Sequence, residues 1–192
     1  MRQPFRTIPV AMGAMVLVLA ALGADEPKSA TKTKLVNAEG VTFRVPVAWK
    51  STKPTQRFRK AYVKVDPAEG DKDPAELVVT AFFADGGGVE ANVARWKGMF
   101  KPEGDEAAEP KVEQRQVRNV EITVVEVGGR YVAPESPGSP KKFNKPGYRL
   151  FGAIVPGKSG TYFFKMVGPD KTMKEARDAF DDMVGTITMV EP

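Results

Sequence analysis

From Val41 the chain alternates for seven residues, with Val41, Phe43, Val45 and Val47 on one face and Thr42, Arg44 and Pro46 on the other. A period of two predicts a half-buried strand, and Pro46 places it at an edge or a strand end. FRKAYVKV (58–65) repeats the pattern with Ala61, Val63 and Val65 inward. After the acidic turn DPAEGDKDP, the run ELVVTAFFA (76–84) is apolar on both faces, as expected of a central strand covered on both sides. In GVEANVARWKGMF the period changes: Val89, Val93, Trp96 and Phe100 recur at helical spacing.

VEQRQV (112–117) and NVEITVVEV (119–127) predict a hairpin, as do YRLFGAIV (148–155) and TYFFKMVG (161–168) across PGKSG. Between them YVAPESPGSPKKFNKPGY (131–148) reads as loop, its four prolines blocking any ladder. TMKEARDAFDDMV (172–184) is a second helix, with Thr172 as its cap and Glu175 completing a capping box. Met173, Ala176, Phe180 and Met183 or Val184 form its buried stripe, and ITMV (187–190) adds a last strand. The sum is an α+β domain: an antiparallel sheet of about seven strands covered by two helices. Trp49, Trp96, Phe82, Phe83, Phe163, Phe164 and Phe180 are expected in its core.

Ahead of this domain, Arg2 and Arg6 precede an apolar run from Ile8 to Leu22, and Ala21 and Gly23 sit at −3 and −1 of a cleavage site. That is the pattern of a secretory signal peptide over 1–23, too short in its apolar part to span a bilayer. No cysteine follows to carry a lipid. Residues 24–34 (ADEPKSATKTK) read as a flexible leader, 35–192 as one α+β domain, and 133–147 as its long Pro/Gly-rich loop. Export to the periplasm or the extracellular space is expected, with no integral membrane span once the signal is cleaved.

Composition narrows the chemistry. The 192 residues contain no histidine and no cysteine, which removes Ser-His-Asp and Cys-His catalysis, the usual zinc sites, iron–sulfur clusters and disulfides. Cleavage would take away Arg2 and Arg6, lowering the net charge from +5 to +3. So small an excess on an exported chain does not call for nucleic acid.

AFFADGGGVEANVARWKGMF (81–100) carries the one stretch shaped like a chemical motif. Gly86, Gly88 and Ala91 fit G-x-G-x-x-A between a strand and a helix, and Glu103, Asp105 and Glu106 lie about where a ribose-binding acid would. Three features oppose a dinucleotide. Glu90 would stand beside the phosphates, KPEGDEAAEP (101–110) is an acidic loop rather than a second parallel strand, and the chain is exported. A Walker loop fails too, since Lys97 falls within the helix and no serine or threonine follows it. The glycines are read as a turn, and Glu90 as suited to the positive end of the helix.

The turn holding Asp66, Glu69, Asp71, Asp73 and Glu76 lacks the spacing of a calcium loop and reads as a solvated tip. Asp178, Asp181 and Asp182 are carboxylates on a water-facing helix surface. Arg95 and Asn92 are expected to make structural hydrogen bonds beside Trp96. No catalytic, cofactor or metal residues are assigned.

VTFRVPVAWK, with Trp49 after a strand and a proline, and the ending TYFFKMVGPDKTMKEARDAFDDMVGTI together resemble the PsbP-like and Mog-like fold. The N-x-x-R-W element at Asn92–Trp96 is similar to one in uncharacterised exported bacterial proteins. Over about 35–190 the resemblance implies an αβα sandwich used for binding and assembly, with no common catalytic residues.

One loop stands out. SPKKFNKPGYR places Lys141, Lys142, Lys145 and Arg149 around Phe143 and Tyr148, and cations interleaved with aromatics suit an anionic envelope polymer or protein partner. The expectation is a non-enzymatic binding or accessory protein of the cell envelope, with those six residues as its contact surface. A carboxylate-based hydrolase of envelope polymers and a small-ligand carrier are the alternatives.

Overall fold

The computed structural model describes residues 31–56, 58–83, 86–104 and 109–190. The signal sequence lies outside them. The chain runs β1 (Thr33–Asn37), β2 (Val41–Pro46), β3 (Lys50–Thr52), β4 (Arg59–Val65), β5 (Ala75–Phe83), α1 (Gly88–Lys97), β6 (Phe100–Lys101), β7 (Lys111–Val117) and β8 (Val120–Tyr131). It continues through β9 (Lys145–Gly157), β10 (Gly160–Pro169), α2 (Asp170–Glu175), α3 (Arg177–Gly185) and β11 (Thr188–Met189). The large sheet is ordered β3-β4-β5-β10-β9-β8-β6, with β7 also on β8; β1-β2-β11 form a second sheet. Every pairing is antiparallel.

The fold is α+β, as expected, but richer than seven strands and two helices. β1 starts at Thr33, inside the stretch read as leader, and β3 is a short edge strand whose three residues are all exposed. ITMV contributes β11 to the small sheet rather than to the large one. The second helix is two, meeting at Ala176, and it starts at Asp170 rather than after Thr172.

Two cores flank the large sheet. Phe43, Leu77, Phe151, Phe164, Met173 and Phe180, all at most 2% exposed, fill the side covered by α2, α3 and the small sheet. Full burial of each contributes about 1.5–3 kcal/mol before the entropy of ordering is charged against it. On the other side Trp96 and Phe100 pack on Val125, Val127, Leu150, Ile154 and Phe163 beneath α1. α1 covers only part of that face. Val78 and Thr80 of β5 are half-exposed and Phe82 is 42% exposed, so β5 is central without being covered on both sides. Val47, expected inward, is 54% exposed because β2 ends at Pro46.

The capping box also fails, for a local reason. Thr172 sits in the first turn of α2, where its amide (2.9 Å) and hydroxyl (2.6 Å) both donate to Asp71, and its hydroxyl accepts the Ala68 amide at 2.9 Å. A carboxylate about 100 residues away in sequence caps the helix, so the acidic turn is tied down rather than solvated. Asp71→Ala is expected to cost about 1–2 kcal/mol. Asp66→Ala, which loses only an exposed pair with Lys50, should cost under about 1 kcal/mol. Equal losses in urea denaturation would show that the cap contributes nothing special.

Candidate functional site

The Pro-rich segment is not an open loop. The Phe143 amide donates to Ala133 O (2.9 Å), the Glu135 amide donates to Lys141 O (3.0 Å), and Pro134 bridges to Lys142. The β8–β9 hairpin therefore continues to a tip at Ser136–Ser139, where Gly138 takes φ 78°. The prolines fall where no ladder donor is needed. The Val132 amide donates to Met99 O (2.8 Å), which ties the base of the extension to the end of α1.

The residues assigned to this region from sequence separate into three environments, because the register of β9 against β8 shifts between Lys145 and Tyr148. Lys141 and Lys142 are exposed and make no ion pair among the described residues. Phe143 stacks on Tyr131 at 5.5 Å, and Tyr131 on Tyr148 at 6.0 Å. Lys145 Nζ lies over both flanking rings, 5.4 Å from Phe143 and 5.2 Å from Tyr148. It is not an outward cation, for it also donates to Asp73 (2.7 Å) and to the Tyr148 hydroxyl (3.2 Å). That hydroxyl in turn donates to Asp73 at 2.5 Å.

The hydrogen bonds from Lys145 and Tyr148 hold Asp73 below the usual carboxylate range. Burial and the bond to Asp73 push Tyr148 up to about 12. Burial opposes the Lys145 charge, but Asp73 and Tyr148 outweigh it and raise its pKa. Arg149 departs altogether. One residue past Tyr148, it points to the opposite side of the sheet, is 7% exposed, and pairs with Glu126 and Asp170. It is a structural residue, not part of a contact surface.

The hairpin extension instead walls a cleft of about 530 Å³ on the part of the large sheet that α1 leaves open. Its floor is Val78 and Glu76 from β5 with Lys165 and Val167 from β10, and Arg59 lies at the far side. A bulge in β4 puts Arg59 opposite Thr80 on this face, beside Tyr62, whose ring centre is 5.9 Å from the guanidinium carbon. Burial, and then the neighbouring Glu76, raise the Tyr62 pKa.

Lys165 is recessed and has no ion-pair or hydrogen-bond partner among the described residues. Burial lowers its pKa and the Arg59 charge lowers it further, with Glu76 only partly compensating. Sequence reading missed both cations. A lone lysine between Phe163 and Val167 on an apolar strand face was the available signal for Lys165. Nothing in the pattern announces the bulge that aims Arg59.

The glycine stretch makes a turn. Gly86, Gly87 and Gly88 have φ of 60°, 94° and 75°, and the buried Asn92 amide ties the turn by donating to Gly86 O (3.1 Å) and Gly88 O (2.6 Å). Arg95 donates to Asn92 Oδ1 at 2.7 Å and fixes its orientation. With every pairing among the described residues antiparallel, they form no parallel crossover of the kind a dinucleotide site needs. Among the described residues no three acidic side chains gather as metal ligands, and Asp66, Asp71 and Asp73 each hold a structural partner. Asp178 and Asp182 are exposed, whereas Asp181 accepts from Arg177 and Arg115, both at 2.8 Å.

Neither a family model nor any curated protein matches the chain. Solved structures do. The solution structure of cyanobacterial PsbP from Synechocystis sp. PCC 6803 superimposes with a TM-score of 0.53 at 13% identity, over 88% of this chain and 99% of that one. The fold is PsbP-like. A Pseudomonas aeruginosa protein of unknown function is also similar, with a TM-score of 0.43 at 12% identity, over 83% of this chain and 98% of that one. The PsbP-like fold carries the hairpin extension and the cleft here, and at 13% identity to cyanobacterial PsbP the function must be argued from those features.

Proposed function

We propose that the protein is an exported, non-enzymatic binding or accessory factor of the cell envelope, engaging an anionic partner through the β8–β9 hairpin extension. The observation that carries this reading is the pair Lys141 and Lys142, exposed and unpaired among the described residues, on a segment held rigid by backbone hydrogen bonds. Cations on an ordered tip engage a polyanion with little entropy lost. The N-terminal pattern supports export, and no described helix is long and apolar enough to cross a membrane. Binding rather than turnover is favoured because Asp73 in the cleft is closed on Lys145 and the Tyr148 hydroxyl rather than presented to a substrate.

The test is retention on isolated envelope material. Lysines near an anionic surface contribute about 1 kcal/mol each, so Lys141→Glu with Lys142→Glu should weaken retention at least roughly thirtyfold, more so at low salt. Unchanged retention by a folded double variant would overturn the assignment.

A further inference from the structure

We infer that the cleft between the hairpin extension and the open sheet face binds a small monocarboxylic acid with an apolar or aromatic body, its carboxylate held between Lys165 and Arg59. This goes beyond the envelope-binding reading, at different residues, and stands or falls independently of it.

The reasoning begins with charge. A recessed ammonium lacking a partner is costly, and a second cation on the same lining adds repulsion. An oxyanion bridging the two relieves both penalties at once, and Arg59 offers a planar fork suited to a carboxylate. The other charged groups limit how much negative charge fits. Lys145 is closed on Asp73, while Glu76 lies beside Tyr62 within 3.8 Å of Lys64, and Glu135 stands on the wall. The lining holds Arg59, Lys145 and Lys165 against Asp73, Glu76 and Glu135. A second or third anionic group on the ligand would meet Glu76 or Glu135, so polyanions are disfavoured and one carboxylate fits.

The remaining walls set the body of the ligand. Met99, Val78, Val167, Ala133 and Phe143 give an apolar surface next to Tyr131. The volume, about 530 Å³, lies in the ordinary range for a small-molecule site and is too small for a folded partner.

The experiment uses phenylacetate and benzoate as probes, with acetate, benzyl alcohol, inorganic phosphate and citrate as comparators, followed by calorimetry and by side-chain NMR of Lys165. The aromatic acids are expected to saturate the site at least about tenfold more tightly than acetate, with benzyl alcohol silent and phosphate and citrate weaker. The Lys165 titration should move upward when phenylacetate is bound. Lys165→Met and Arg59→Gln should each weaken binding at least about tenfold, and the Arg59 change, on a half-exposed bulge near the start of β4, keeps the test valid if the Lys165 substitution unfolds the protein. Lys141→Glu with Lys142→Glu should leave acid binding unchanged, so envelope retention and acid binding fail separately. Absence of saturation by either aromatic acid, tighter binding of citrate or phosphate, or equal binding by the Arg59 variant would overturn the inference.

Discussion

Arg149→Ala is expected to lower stability by about 3–5 kcal/mol, although sequence places this arginine among surface contacts. Its side chain is 8% exposed, and its Nε donates to Asp170 at 2.5 Å while a second nitrogen pairs with Glu126. Arg177 joins Glu126 at 2.6 Å and Asp181 at 2.8 Å, and Arg115 continues the chain of charges to Glu113 at 2.7 Å. Removing the central cation leaves Glu126 with Arg177 alone and Asp170 with Lys174 alone, each carboxylate under-compensated in a partly dry layer between the sheet and α2. Exposed pairs such as Lys50–Asp66 lose far less because water replaces the partner. Arg149→Lys should rescue little, since one ammonium does not span both carboxylates.

Acid gives an internal control for this expectation. Burial alone would raise the Asp170 pKa, but Lys174 and Arg149 outweigh it and hold the group below the usual carboxylate range. The depressed carboxyl contributes stability above its unfolded pKa, and that contribution is lost as pH falls through the lower folded value. The gap between wild type and variant should therefore be full near pH 7 and narrow in acid, as the pH falls below the ordinary carboxylate range. Urea denaturation at both pH values checks it. A gap under about 1 kcal/mol near neutrality would show that the network is no stronger than a surface pair.

How much of this was legible beforehand follows from the length scale of each cause. Period-two alternation located β2 and β4 because their buried faces select it residue by residue, whereas β8, β9 and β10 were located as apolar runs flanking short turns, β8 and β9 being buried on both faces over much of their length. β1 and β3 escaped because TKLVN and KST are short and mostly exposed, so burial leaves little trace in them. The break at Ala176 and the cap from Asp71 depend on a distant turn that no local window contains. Phe82 was placed in the core on composition, yet it stacks with the exposed Phe58 at 6.0 Å where α1 does not reach.

The same distinction separates the site residues. Lys141 and Lys142 are on the surface, as solvated lysines in a turn would be, and Phe143 and Tyr148 do meet through Tyr131. Lys145 and Arg149 look identical to them in sequence and, four residues apart, share strand parity, but the irregularity at Gly147 in β9 turns one toward Asp73 and the other through the sheet. The cleft needed the incomplete cover of α1, a bulge and a strand order, none of which is a property of neighbouring residues.

That incomplete cover has a fixed boundary at Gly152. Its backbone φ is ordinary for a strand, so the glycine is there for space. A Cβ at this position would lie 2.2 Å from Trp96 Cζ3 and 2.7 Å from two further ring atoms, well inside contact distance. The ring has no simple retreat. It is 4% exposed, stands edge-on to Phe163 at 6.5 Å, and belongs to a helix whose start is pinned by Asn92 to the glycine turn. Gly152→Ala is therefore expected to cost about 3 kcal/mol, the upper end for overpacking.

Because Met99 follows α1 and accepts from Val132, a displaced Trp96 should also shift the cleft wall and weaken acid binding. Trp96→Leu alone leaves a cavity and costs about 2–4 kcal/mol, but in the Gly152→Ala background it removes the clash. The double variant should then be more stable than the sum of the single losses by at least about 1 kcal/mol. Strict additivity in that cycle would mean that the two positions do not press on each other and that the helix is held away from the sheet by something else.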